Sequence, residues 1–121
     1  MIKFLDLHSQ YLSIKSDIDS TIENIIRTSA FIGGDELQKF EAAFAKYQQA
    51  EFCVGVGNGT DAIEIALEAL NLPSGSEIIV PANSFIGTSE AVTRSGHHVV
   101  FADINLDTYT LDPVSVESLI G

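Results

Sequence analysis

The order of apolar and glycine-marked segments in this 121-residue sequence predicts an α/β fold, a parallel sheet covered by helices. Three observations predict it. After two leading helices the segments run β-α-β-α-β. The strand segments are continuous apolar runs rather than alternating ones, as in sheets covered on both faces. And the first strand segment passes into a helix through a turn holding three glycines, Gly55, Gly57 and Gly59.

Tyr11, Ile14, Ile18, Ile22 and Ile25 recur every three or four residues and mark one face of a first helix. Leu37, Phe40, Phe44 and Tyr47 mark a second, with Gly33-Gly34 as the break between them. Glu51–Val56 is short, apolar and β-prone, and Cys53 reads as a small buried residue within that strand. Ile63, Ala66, Leu67 and Leu70 resume helical spacing and end at Asn71-Leu72-Pro73-Ser74-Gly75. Ile78-Ile79-Val80 is a second strand, stopped by Pro81. A further helix spans Ser84 to about Arg94, and His98–Phe101 is a third strand. Asp112 followed by Pro113 reads as an N-cap and first helical position, with Val116, Leu119 and Ile120 on the apolar side. No repeat, charge block or low-complexity linker divides the chain, so residues 1–121 read as a single α/β unit.

Composition narrows the function classes. Six Lys+Arg against seventeen Asp+Glu give a formal charge of −11, which leaves no general attraction for nucleic acid or anionic membranes. One cysteine makes neither an intramolecular disulfide nor a structural zinc site. No apolar run is long enough to span a bilayer, and Met1-Ile2-Lys3-Phe4-Leu5-Asp6 places an acid where a secretion signal needs apolar residues. A cytoplasmic setting is the expectation.

Val54-Gly55-Val56-Gly57-Asn58-Gly59-Thr60-Asp61 is the most informative stretch. Such a turn brings backbone N–H groups close to an anion at a helix N-terminus, and the Thr60 hydroxyl can donate to a phosphate or cap the helix. The spacing alone equally allows a tight, capped turn with no ligand. A P-loop is excluded because no lysine follows Lys46, and a dinucleotide fingerprint fails because Thr60 stands at its third glycine and Glu77 precedes the second strand. A first-turn carboxylate repels a phosphate placed beside it, so with an anion bound Asp61 offers its backbone N–H and turns its side chain away.

Phe85 follows the second strand, at the sheet end where ligands of parallel α/β folds gather, and either stacks on a flat ring or packs at a helix start. His97 and His98 point to opposite faces of a strand and read as solvated or hydrogen-bonded, not as a metal site. Asp103-Ile104-Asn105-Leu106-Asp107 lacks the glycine and terminal glutamate of a calcium loop and reads as a polar turn. No metal is expected.

Taken in order, these motifs resemble the N-terminal part of the DegT/DnrJ/EryC1/StrS family, pyridoxal-phosphate (PLP) enzymes of aminotransferase fold type I acting mainly on nucleotide-linked keto-sugars. The resemblance rests on Phe4-Leu5-Asp6-Leu7; Phe31-Ile32-Gly33-Gly34 with Leu37 and Phe40-Glu41; and Val54 to Ala62. Gly75 to Pro81, Ser84-Phe85, Gly96, Val100 to Ile104 and Asp112-Pro113 complete it. It implies that the chain is the N-terminal segment of the large domain of a longer, homodimeric enzyme. Gly59, Thr60 and Asp61 would then meet the cofactor phosphate, Phe85 would stack on its pyridine ring, and Phe31 and Ile32 would lie near the sugar-nucleotide pocket. The amino donor would be an amino acid, glutamate first.

The resemblance also places the aldimine lysine and the acid at the pyridine nitrogen beyond residue 121. Lys3, Lys15, Lys39 and Lys46 all precede the turn, so no catalytic residue is expected within the chain and the 121 residues alone are expected to be inactive. Within the family, a sugar dehydratase with histidine in place of the lysine is the alternative. Outside it stand a non-catalytic phosphate- or PLP-binding or interaction domain, and an α/β domain without a ligand. Apolar surface and an open sheet edge are expected to make the isolated chain self-associate.

Overall fold

A computed structural model describes residues 4–121, so Met1, Ile2 and Lys3, with their place in the signal-peptide reading and in the lysine inventory, lie outside the described residues. The chain folds into two compact units, Met1–Gly55 and Val56–Gly121.

In the first unit, α1 (Leu7–Thr28) starts where the Asp6 side chain accepts from the Ser9 N–H at 3.1 Å, and it ends on left-handed Ser29. Gly33 and Gly34, both at positive φ, turn the chain into α2 (Asp35–Tyr47), whose first turn carries Asp35 and Glu36 at the helix's positive end. Both helices lie where the apolar spacing predicts them.

The predicted first strand is corrected. Residues 51–56 form no strand, because a strand exists only where a ladder partner does and no described segment pairs with them. Cys53 is accordingly half-buried on an unpaired segment rather than buried in a sheet.

The second unit begins with α3 (Gly59–Ala69), followed by β1 (Glu77–Pro81), α4 (Ile86–Arg94), β2 (His98–Ala102) and α5 (Pro113–Leu119). β1 and β2 pair in parallel from Glu77↔His98 to Pro81↔Ala102, with α4 as the crossover a parallel pair requires. The fold is α/β with a parallel sheet, as predicted, and two strands of that sheet lie among the described residues. Leu67 of α3, Val80 of β1 and Val92 of α4 close on one another, with Ile63, Ile78 and Val99 against them. Burying a side chain such as Val92 contributes about 2 kcal/mol, and α3 and α4 are thereby fixed side by side over the strands.

Asp112 caps α5 by accepting from the Val114 N–H at 3.1 Å, and Pro113 opens it, as expected; Ile120 lies one residue past its end. The 103–107 stretch is the expected polar turn, with Asn105 Oδ1 accepting from the Asp107 and Thr108 N–H groups at 2.9 and 3.2 Å. His97 departs from expectation. It is buried just before β2, and its Nδ1 meets no hydrogen-bond partner. No group of three or more metal-ligating side chains forms among the described residues.

Candidate functional site

The glycine turn and the start of α4 meet inside the second unit. Asn58 is the N-cap of α3, its extended backbone leading the chain into the helix. Asn58 Oδ1 accepts from the Asp61 N–H at 2.9 Å, and Asn58 Nδ2 donates to Asp61 Oδ2 at 2.9 Å. This double bond pattern holds the Asp61 carboxylate on the cap.

Two donors remain. The N–H groups of Gly59 and Thr60, the first two of α3, meet no acceptor among the described residues, and neither does the Thr60 hydroxyl. Open space lies beside Gly59 where a side chain would project, so a ligand atom can approach the backbone there. The Asp61 amide, which the sequence offers to the same anion, donates here to Asn58, and the Gly59 and Thr60 N–H groups are the unpartnered pair.

Phe85 supplies the apolar wall. It stands at the N-cap position of α4 with 77% of its surface exposed, so a ring face is open to a flat molecule. Asn58, Gly59, Thr60, Phe85, Gly87 and Thr88 line one concavity of about 410 Å³, a size ordinary for small-molecule sites. Helix starts thus meet an aromatic ring. An anion is favoured at the former and a flat heterocycle at the latter.

Sequence reasoning missed Gly87. It is buried in the first turn of α4, and a Cβ there would lie 2.5 Å from Thr60 Oγ1 and 2.8 Å from Phe85 Cε1. Only a glycine lets the Thr60 hydroxyl and the Phe85 ring come this close. A glycine inside a helical pattern is the signal that marks such packing.

The second unit holds one cation, Arg94, and its Nε is spent on Glu64 Oε2 at 2.9 Å. Within the second unit, the donors found at the turn are neutral N–H and hydroxyl groups. In the first unit, Phe31 lines a separate concavity of about 650 Å³ with Asn24, Thr28, Gly34 and Lys39. Ile32 is almost fully exposed and does not line it. Lys15 donates to Asp19, and Lys39 donates to Glu36 at 2.7 Å. Those carboxylates raise both amines above the ordinary lysine range, the Asp19 bond being the main cause for Lys15 and the Glu36 bond for Lys39.

Comparison with known proteins identifies the setting. Residues 12–121 match the model of the DegT/DnrJ/EryC1/StrS aminotransferase family. The pleiotropic regulatory protein of Geobacillus stearothermophilus is 40% identical over 119 residues, 98% of this chain and 32% of its own length. The UDP-2-acetamido-2-deoxy-3-oxo-D-glucuronate aminotransferase of Pseudomonas aeruginosa is 38% identical over 120 residues, 99% of this chain and 33% of its own. The chain thus spans about a third of the length of the curated relatives it matches. Among solved structures, Streptomyces venezuelae DesV, in complex with a ketimine intermediate, superposes with a TM-score of 0.93 at 36% identity, covering 99% of this chain and 32% of DesV. Escherichia coli GDP-4-keto-6-deoxy-D-mannose-3-dehydratase, holding hydrated PLP, superposes with a TM-score of 0.77 at 29% identity, covering 84% of this chain and 28% of the dehydratase. The fold is that of part of a type I PLP aminotransferase.

Proposed function

The chain belongs to the DegT/DnrJ/EryC1/StrS aminotransferase family, and on that premise we propose that it carries the phosphate and ring contacts for PLP in an enzyme moving an amino group from glutamate to a nucleotide-linked keto-sugar. The observation that supports this most is the pair of unpartnered amides on Gly59 and Thr60 lining the same concavity as the exposed Phe85 ring. PLP fits these residues: its phosphate suits the helix start and its heterocycle suits Phe85. When bound, PLP supplies an electron sink for bonds at the amino-bearing carbon.

The chain's own residues then have distinct tasks. Gly59 and Thr60 donate their N–H groups to the phosphate, and the Thr60 hydroxyl adds a third donor. Phe85 covers one face of the ring and keeps water from it. Asp61 acts through its place on the Asn58 cap, which steadies the first turn of α3 while keeping a carboxylate off the anion. Phe31 and Ile32 belong to the sugar-nucleotide side. The reactive amine is assigned to a part of the enzyme outside these residues, as the family resemblance implies. Alone, the 121 residues are inactive. The enzyme is assigned as a homodimer of the cytoplasm, on the family resemblance.

A second reading is favoured by the likeness to the E. coli dehydratase, namely loss of water from the sugar instead of amino transfer. The two are separated by incubating the full-length protein carrying this sequence with PLP, glutamate and a panel of nucleotide-linked keto-sugars. Mass spectrometry then reads the products. A product bearing the glutamate nitrogen supports the first reading; a product lacking one water and no nitrogen gained supports the second. PLP affinity unchanged in Thr60→Val and Phe85→Ala variants removes the assigned site, and a protein that takes up no PLP at all favours a ligand-free or interaction domain.

A further inference from the structure

Residues 51–57 lead into the cofactor turn, and they are almost free of backbone pairing. Among the described residues the Gly55 N–H is the one backbone group in that stretch with a hydrogen-bond partner. Its acceptor is Glu41 Oε1 on α2, 14 residues earlier in the chain, at 2.8 Å. The contact is built closely. A Cβ on Gly55 would lie 2.6 Å from Leu37 Cδ1 and 3.4 Å from Glu41 Oε1, so the helix meets bare backbone. A charged acceptor gives the stronger kind of hydrogen bond, and this one is partly buried.

We infer that Glu41 is a positioning residue for the anion turn: its carboxylate, bound to the Gly55 N–H, holds the chain at the point from which it enters Gly57-Asn58-Gly59. Gly55 is joined to that turn through Val56 alone. Untethered, the unpaired segment would gain backbone freedom, and ordering it would weaken each binding event. Leu37 also packs against the same glycine, so α2 meets the segment from two positions one helical turn apart. Glu41 touches no cofactor in this assignment, which rests on the PLP reading above.

The test is PLP titration of the apo form of the full-length protein carrying this sequence, in Glu41→Ala and Glu41→Gln forms, with thermal melting alongside. Glu41→Ala should bind PLP about tenfold more weakly, while Glu41→Gln, whose amide oxygen still accepts the Gly55 N–H, should stay within about threefold of the parent. Parent-like affinity in Glu41→Ala, or equal losses in both variants, overturns the proposal. A lowered melting temperature with unchanged affinity also overturns it, since that is a purely structural role. Should Glu41→Ala fail to fold, Gly55→Ala pushes a methyl into Leu37, and Leu37→Ala in the same chain should return the lost affinity; no recovery counts against the grip. The PLP reading fails on a different result, a parent that binds no PLP. The tether is then read from exchange of the Gly55 amide hydrogen: faster exchange in Glu41→Ala upholds it, and equal exchange in both forms sinks it.

Discussion

The two units differ in how their apolar residues are used. In the second, Leu67, Val80, Ala91, Val92 and Ala102 are buried, and Val92 is wholly closed off. In the first, Ala45 alone among the described residues is buried, and α1 buries none of its residues. Ile14, Ile18, Ile22 and Ile26 are 46, 39, 52 and 60% exposed although they repeat with helical period. Periodicity therefore specifies a helix and the side it turns to a partner, but not the partner. In the second unit the partner is the β1–β2 pair, and there the pattern and the packing coincide.

The contrast can be broken by paired truncations. Val92→Ala should cost about 2 kcal/mol in denaturant unfolding, since it opens a cavity in closed packing. Ile18→Ala on α1 should cost less than about 0.5 kcal/mol, the range for exposed positions. An Ile18→Ala loss as large as that of Val92→Ala would mean that the α1 face is covered in solution. The well-packed unit should also be the one that resists insertion. Gly87→Val places atoms where Thr60 Oγ1 and the Phe85 ring already lie, so PLP affinity should fall about tenfold, the scale of one lost contact. Unchanged affinity in that variant would show that Thr60 and Phe85 need not be adjacent.

The smallest effect belongs to the first unit, where α1 relies on surface pairs. Asp19 accepts from Lys15 and, at 2.8 Å, from the Tyr11 hydroxyl. Those bonds, Lys15 first, lower its pKa below the usual carboxylate value. A lowered folded-state pKa means the contribution is present above the unfolded value, about 4, and is lost as pH falls through the folded one. Asp19→Asn should erase that acid-side step in α1 stability. Since the pair is exposed, 1 M salt should shrink the step in the parent as well; a step that survives Asp19→Asn would come from another group.

Much of the second unit was legible because its signals are local. Asp112-Pro113 announces α5, and the break at Ser95-Gly96 separates α4 from β2. The failures share a cause. Glu51–Val56 has strand composition, but a strand also needs a neighbour, which composition does not report. Phe85 and Gly59 were readable as site candidates from their places beside a strand end and a helix start. That Asn58 takes the Asp61 amide was not, because a capping side chain and a ligand compete for the same N–H. The closeness of Gly87 to Thr60 and Phe85, the grip of Glu41 on Gly55 and the burial of His97 are all products of tertiary approach, for which spacing along the chain gives no distance.

The most direct measurement of the site is the amide spectrum of the full-length protein carrying this sequence, labelled with nitrogen-15 at glycine, threonine and aspartate, as PLP is added. The Gly59 and Thr60 amide signals should move together and saturate with the absorbance change of the bound cofactor, while the Asp61 amide, held by Asn58, shifts least of the three. Gly59 and Thr60 signals that stay in place while PLP binds would put the phosphate elsewhere and contradict the assignment of this turn.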